Sequence, residues 1–165
     1  MKISKVLAWI AVALWMMGIF YLSAQPAVDS NRLSKGVTQV MIEVVEKVVP
    51  DAEIDIREFT DIIRSIAHFI SYFVLGWLVM NALSRGVRAE VSASYRVEFK
   101  NLFFAALICI VYAVSDEFHQ IFVPGRSAEG KDVLTDIAGA AAGIGVYSGI
   151  RWILRDMRLT RRKKA

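Results

Sequence analysis

Cysteine, proline and histidine are scarce in this chain. Among its 165 residues there are one cysteine, three prolines and two histidines. A single cysteine excludes an internal disulfide, and Cys109 lies within an apolar run, so we interpret it as a small buried hydrophobic residue. The prolines stand at positions 26, 50 and 124, between apolar segments, where proline ends a helix or marks a turn.

Charge is missing from long stretches of the sequence. Hydrophobic residues make up 56% of the chain, and the mean hydropathy is +0.46. These values are too apolar for an ordinary soluble domain and are typical of a small polytopic membrane protein. The net charge of +4 does not indicate a nucleic-acid partner, because the basic residues cluster beside the apolar segments.

Four apolar segments are long enough to cross a bilayer, which takes about 20 residues and no fewer than about 17. They predict one all-α domain, a bundle of transmembrane helices at residues 6–23, 62–83, 102–121 and 132–154. A cleaved signal peptide is the alternative for the first segment. Its cleavage sites are poor, because Leu22 stands where a small residue is required and Pro26 lies nearby.

The interval between the first two segments is polar but periodic. Apolar residues recur at steps of three and four from Leu33 to Val48, which predicts an amphipathic helix at about residues 30–49. We expect this helix to lie in the membrane interface, and a mobile lid over a site is the alternative. The acidic stretch at 50–61 is expected to be a connector.

Lysine and arginine indicate the orientation of the chain. The N-terminus, the loop at 84–100 and the tail at 155–165 are rich in both, whereas residues 25–62 have four Lys/Arg against eight Asp/Glu. The positive-inside rule therefore predicts that both termini and the middle loop are cytoplasmic. We also expect the basic tail to attract anionic lipid.

Polar side chains occur at the ends of the apolar segments that this orientation places outside. Ionisable residues are costly in a membrane and are often functional. At helical spacing they form one stripe on each of three segments, with Gln25 above them: Arg64, His68 and Tyr72; Asp116, His119 and Gln120; Asp132 and Asp136. Because a helix rises about 1.5 Å per residue, the stripes lie at similar depth and predict one polar layer.

Glycine spacing indicates which way the last stripe faces. Gly139 and Gly143 lie on the same helical stripe as the two aspartates, and their spacing permits close contact with another helix. That contact would turn the aspartates inward. Gly145 and Gly149 repeat the spacing and permit a second contact.

Four blocks of the chain resemble the VanZ-like membrane proteins, in that family's order. They are FYLSAQP (20–26), RSIAHFISYFVLG (64–76), DEFHQIFVPGR (116–126) and DVLTDIAGAAAG (132–143). The chain departs from the family pattern at Ser65, where lysine is common, at Ser71, where an acidic residue is frequent, and at Asp136, where asparagine is frequent. The resemblance implies a multi-pass protein of a bacterial cytoplasmic membrane. The family is named for resistance to teicoplanin, a glycopeptide that binds cell-wall precursors outside that membrane.

Three hypotheses fit the polar layer. In the first, an enzyme uses His68 or His119 as general acid or base, oriented by Asp116 or Glu117. In the second, a binding protein engages a lipid-linked precursor or a glycopeptide, or positions a partner enzyme. In the third, the layer only determines helix packing. The ligand-binding candidates comprise Gln25, Arg64, Tyr72, Gln120, Arg126, Asp132 and Asp136, in which the arginines suit a phosphate or carboxylate.

A metal site is a weaker alternative. His68, His119 and the neighbouring carboxylates offer nitrogen and oxygen ligands, and Asp116-x-x-His119 has a spacing found in helical metal sites. The nearby arginines already compensate those carboxylates, so we predict neither a metal nor another cofactor.

The orientation is testable by thiol labelling of intact cells. In a Cys109→Ala background, Ala128→Cys is expected to react with a membrane-impermeant reagent added outside, and Ser92→Cys is expected not to react. The reason is that positive-inside places the 122–131 turn outside and the 84–100 loop in the cytoplasm. Labelling at position 92 alone would show that the chain is inverted.

Overall fold

The computed structural model describes residues 2–25, 36, 56–85, 94–124 and 130–164, and these residues are helical apart from short turns. The helices are α1 (Lys2–Ser23), α2 (Ile56–Ser84), α3 (Ser94–Gln120) and α4 (Gly130–Lys164). Each contains a stretch that is long and apolar enough to cross a membrane: Ile3–Ser23, Phe59–Ser84, Glu98–Gln120 and Gly130–Met157. This confirms the prediction of an all-α polytopic membrane protein with four transmembrane helices.

All four helices extend beyond the predicted segments, and α1 begins at Lys2, four residues before the first segment. α2 begins at Ile56, within the stretch that we expected to be a connector, and α3 begins at Ser94, within the predicted loop. α4 continues through the predicted tail to Lys164. Hydropathy detects only the part of a helix in hydrocarbon, whereas backbone hydrogen bonding continues into polar sequence. The predicted amphipathic helix at about 30–49 lies outside the described residues, apart from Gly36.

α2 and α4 run parallel and make the most extensive contact between helices. Two glycines of α4 allow it, because Gly139 packs against the backbone carbonyl of Phe69 and Gly143 against that of Phe73. A Cβ atom at either glycine would collide with the carbonyl oxygen. Small residues are the usual means of close helix approach in a membrane, where the hydrophobic effect does not drive helices together.

The second glycine pair has a different environment. A Cβ atom at Gly145 or Gly149 would meet nothing within 4 Å in the described part of the chain. Only the first of the two predicted glycine spacings therefore mediates contact between these helices.

Two interhelical hydrogen bonds position α1 against its neighbours. The Trp15 indole N–H donates to the backbone oxygen of Ser71 on α2 at 2.9 Å. The Tyr112 hydroxyl of α3 donates to the backbone oxygen of Met16 at 2.6 Å. Many large apolar side chains on the outer surface are exposed, which is expected where lipid takes the place of water.

Basic side chains interact at the end of the bundle where α2 ends and α3 begins. Arg151 of α4 donates to the backbone oxygen of Ser84 at 3.4 Å, so it partners a carbonyl at the C-terminus of α2. Arg155 lies 3.9 Å from the carboxylate of Glu98 on α3. These contacts differ in kind from those at the opposite end, where acidic side chains predominate.

The glycine contact is testable by thermal unfolding of the purified chain in detergent. Gly143→Ala is expected to destabilise the protein by about 1–3 kcal/mol, because the added methyl group overpacks the α2–α4 contact. The matched control is Gly145→Ala, where space is open and replacing a helical glycine contributes roughly 0.5–1 kcal/mol of stability. Equal effects of both substitutions would contradict the packing described above.

Candidate functional site

Buried polar side chains gather at one end of the bundle, where α1 and α3 end and where α2 and α4 begin. We call this the polar end. Apart from Ser84, every buried polar or charged side chain that the structure describes lies there: Ser23, Asp116, Glu117, Gln120, Asp132 and Asp136. The three predicted stripes of α2, α3 and α4 are therefore brought to the same end of the fold.

An ion pair between α2 and α4 lies at this end. Arg64 Nη2 donates to Asp132 Oδ2 at 3.0 Å. The Asp132 side chain is 4% exposed and that of Arg64 is 31% exposed, so the carboxylate is the buried partner. Asp132 stands in the first turn of α4, where the positive end of the helix dipole also favours an anion.

A second pair lies one helical turn further along the same two helices. His68 Nδ1 and Asp136 Oδ1 are 3.1 Å apart, and the Asp136 side chain is 1% exposed. An ionised carboxylate only accepts hydrogen bonds, so Nδ1–H is the donor when Asp136 is charged. Both pairs join residues 68 positions apart, because α2 and α4 are parallel and in constant register.

This geometry changes the expected partner of the histidine. Asp116 or Glu117 was predicted to orient His68 or His119, but the carboxylate at His68 belongs to Asp136. The register of α2 against α4 decides the pairing, since it aligns successive turns of the two helices. A carboxylate at Nδ1 fixes the orientation of an imidazole and leaves Nε2 as its second functional atom.

A third group of polar atoms has no hydrogen-bond partner in the described part of the chain. Both oxygens of Asp116, the Tyr72 hydroxyl, the Ser23 hydroxyl and the Gln120 side-chain nitrogen are buried without a hydrogen bond. The Ser23 hydroxyl and the Gln120 amide lie beside the Asp116 carboxylate as donors without strict hydrogen-bond geometry, and His68 and His119 lie within electrostatic range of it. We call Ser23, Tyr72, Asp116 and Gln120 the open cluster. Unsatisfied buried polar groups are rare in proteins and indicate a missing ligand, ion or water.

The remaining candidates are placed less centrally. The ring of His119 packs against that of Phe20, with centroids 4.5 Å apart, so it takes part in neither pair. Glu117 is buried on α3, and Gln25 is half-buried just beyond α1. Arg126 lies outside the described residues. Over the described ranges, no group of three or more His, Cys, Asp or Glu is arranged to hold a metal ion.

Ser23 was not among the residues predicted for the site. It is 5% exposed and stands in the last turn of α1. A polar residue ending an apolar segment was the available signal in the sequence. The sequence does not show whether the side of α1 that carries Ser23 faces Asp116, because the rotation of α1 against α3 depends on tertiary packing.

The four helices and their polar end define a small polytopic membrane protein with ionisable side chains in one half of its bundle. The VanZ/LLP1 family model matches residues 8–154, which is most of the chain, and the protein belongs to that family. The family resemblance drawn from the four sequence blocks is thereby confirmed. No curated protein and no solved structure matches the chain.

The Arg64–Asp132 pair is testable by a double-mutant cycle. Arg64→Leu alone is expected to destabilise the chain by about 2 kcal/mol or more, because it leaves the buried Asp132 carboxylate without its cation. Arg64→Leu with Asp132→Leu is expected to recover much of that loss, since both charges are then absent. Thermal unfolding in detergent measures each free energy. Additive losses would show that the two side chains do not interact.

Proposed function

We propose that this chain is a cell-envelope membrane protein that binds the polar head group of a lipid or of a lipid-linked cell-wall precursor. The observation that carries the proposal is the open cluster at the polar end. Its unpartnered atoms come from α1, α2 and α3, so a single bound group is within the reach of all three helices.

The open cluster also favours binding over a role in packing alone. A network that only stabilises helix packing is expected to satisfy its own members, as Arg64 with Asp132 and His68 with Asp136 do. Retaining an unpaired carboxylate inside a bundle costs stability. That cost is understandable if a ligand supplies the missing partner.

The distribution of Lys and Arg supports an outer location for this end. With both termini cytoplasmic, the polar end faces the extracytoplasmic side of the inner membrane of a bacterium. Lipid-linked precursors display their head groups there. The basic end of α4 would then lie at the cytoplasmic leaflet, where Lys and Arg attract anionic lipid.

A groove of about 420 Å³ supports a lipid as the partner. It lies between α2 and α4 and is lined mainly by Ile62, Ile66 and Phe69, with Asp61, Ser65 and Thr135 as its polar residues. These residues alternate along the helices with the members of the two ion pairs. The hydrocarbon chain of a lipid fits such a surface, because the groove opens on the lipid-facing side of helices that cross the membrane.

The family name adds a specific expectation. Teicoplanin binds cell-wall precursors outside the membrane, so a protein that engages the precursor head group there would limit access of the drug. The proposed function therefore includes a role in glycopeptide resistance. The alternative is that the protein binds teicoplanin directly.

The His68–Asp136 pair favours a second candidate function, acid–base catalysis on a lipid-linked substrate. A histidine oriented by a buried carboxylate is a common general base, and the side chain of His68 is 17% exposed. His68 Nε2 would take a proton from an attacking hydroxyl or water and return it to the leaving group. The chain would then be a hydrolase or transferase.

A binding assay in lipid nanodiscs tests the proposal. The full chain is expected to bind a lipid-linked precursor, and Asp116→Asn or Tyr72→Phe is expected to weaken binding by about tenfold or more, which is the effect of one charge-assisted hydrogen bond. Asp156→Asn is the matched control, because Asp156 is an exposed carboxylate at the opposite end of the bundle. Its affinity is expected to equal that of the unsubstituted chain.

Other results of this assay separate the hypotheses. Absence of binding with saturating precursor and with saturating teicoplanin would leave packing as the role of the layer. Release of a product that stops in His68→Gln, with binding retained, would establish the enzyme. If His119→Gln stops it instead, the His68–Asp136 pair is not the catalytic one.

A further inference from the structure

The carboxylates of the polar end differ in the cations available to them. Asp132 has Arg64 at 3.0 Å, and Asp136 has His68 at 3.1 Å. Asp116 is 3% exposed, and neither of its oxygens has a hydrogen-bond partner. Among Asp116, Asp132 and Asp136, Asp116 is therefore the one with no ion pair in the described part of the chain, with His68 and His119 only within electrostatic range of it.

The backbone around Asp116 increases this imbalance. Asp116 stands about one turn before the end of α3 at Gln120, and α1 ends beside it at Ser23. The C-terminus of a helix carries a partial negative charge, so two such ends disfavour an anion and favour a cation here. Asp132 has the opposite situation, in the first turn of α4.

The unpartnered atoms around Asp116 are suited to a cation. Two carboxylate oxygens, the Ser23 hydroxyl and the Tyr72 hydroxyl offer lone pairs, and the Tyr72 hydroxyl belongs to a side chain that is 0% exposed. Hard cations and ammonium groups prefer oxygen partners of this kind. The rings of Tyr72 and Tyr112 lie 6.0 Å apart and add aromatic surface, which also attracts cations.

The same charges disfavour an anionic ligand at this position. Arg64 was predicted to bind a phosphate or carboxylate, but its guanidinium is hydrogen-bonded to Asp132. An anion brought to the open cluster would meet the charge of Asp116 and two negative helix ends. The polarity of the site is therefore opposite to the one predicted from its arginines.

The geometry points to a cation site in the open cluster, with the Asp116 carboxylate as counter-ion and the Ser23 and Tyr72 oxygens as further ligands. The cation is small, because none of these atoms is exposed to water. It is an alkali ion or the primary ammonium of a lipid head group. The lipid form rests on the proposed function, whereas the alkali-ion form is independent of it.

Thermal unfolding of the full chain at constant ionic strength tests the site. Sodium or potassium is expected to raise the Tm by about 5 °C or more at saturation, relative to the bulky cation N-methylglucamine. Asp116→Asn is expected to abolish the difference. Tyr72→Phe removes one oxygen with little change in packing, and it is expected to require about tenfold more cation for the same shift. Asp156→Asn, a change of an exposed carboxylate at the opposite end of the bundle, is expected to retain the full response.

Nanodiscs distinguish the two sources of the cation. With N-methylglucamine as the only salt cation, phosphatidylethanolamine is expected to raise the Tm relative to phosphatidylcholine if a head group supplies the ammonium, because choline has no N–H donor. The rise is expected to disappear in Asp116→Asn. If only alkali ions raise the Tm, the site binds a free ion. That result would contradict head-group binding at this site and would support the cation site itself.

Three outcomes would overturn the cation site. One is a Tm that responds to neither alkali ions nor ethanolamine lipids, which would mean a closed or protonated cluster. Another is an equal response in Asp116→Asn. The third is a cation dependence that arises only in Arg126→Ala, which would identify Arg126 as the resident counter-ion. Precursor binding by the unsubstituted chain that weakens in Asp116→Asn would, in each case, leave head-group binding intact.

Discussion

The close contact between α2 and α4 is the constraint on which the rest of the polar end depends. Gly139 and Gly143 let the backbones meet at Phe69 and Phe73, so the helices are locked in one parallel register. That register aligns successive turns of the two helices, so that Asp132 pairs with Arg64 and Asp136 pairs with His68. Opposite charges are therefore paired inside a membrane-spanning bundle, where an isolated charge would be costly.

The same pairing leaves Asp116 of α3 without an ion pair in the described part of the chain. Asp116 lies near hydroxyl groups of α1 and α2. It also stands near the C-terminus of a helix, whose partial negative charge disfavours an anion. The polar end thus has two parts, a closed one between α2 and α4 and an open one among α1, α2 and α3. Packing accounts for the first part, and the second part is where the proposed ligand would bind.

The division also relates the two candidate functions. His68 belongs to the closed part through Asp136, while Tyr72, one turn further along α2, belongs to the open part. A group bound at Asp116 would therefore lie beside the histidine, within electrostatic range of it. Binding and acid–base chemistry are compatible uses of one layer, and they differ in whether His68 takes a proton from what is bound.

The sequence by itself determined the membrane class, the four spans and the family, because hydropathy and motif order are local properties of the chain. It also indicated one polar layer, since helical phase and depth follow from spacing along each helix. It did not determine the partners within that layer. Asp116, Asp132 and Asp136 are equally plausible partners of a histidine on another helix until the relative rotation and register of the helices are known. Only the tertiary structure decided that Asp136 pairs with His68, because that pairing depends on the backbone contact at Gly139 and Gly143. It alone also brought Ser23 beside Asp116, because the rotation of α1 against α3 is not a local property of the chain.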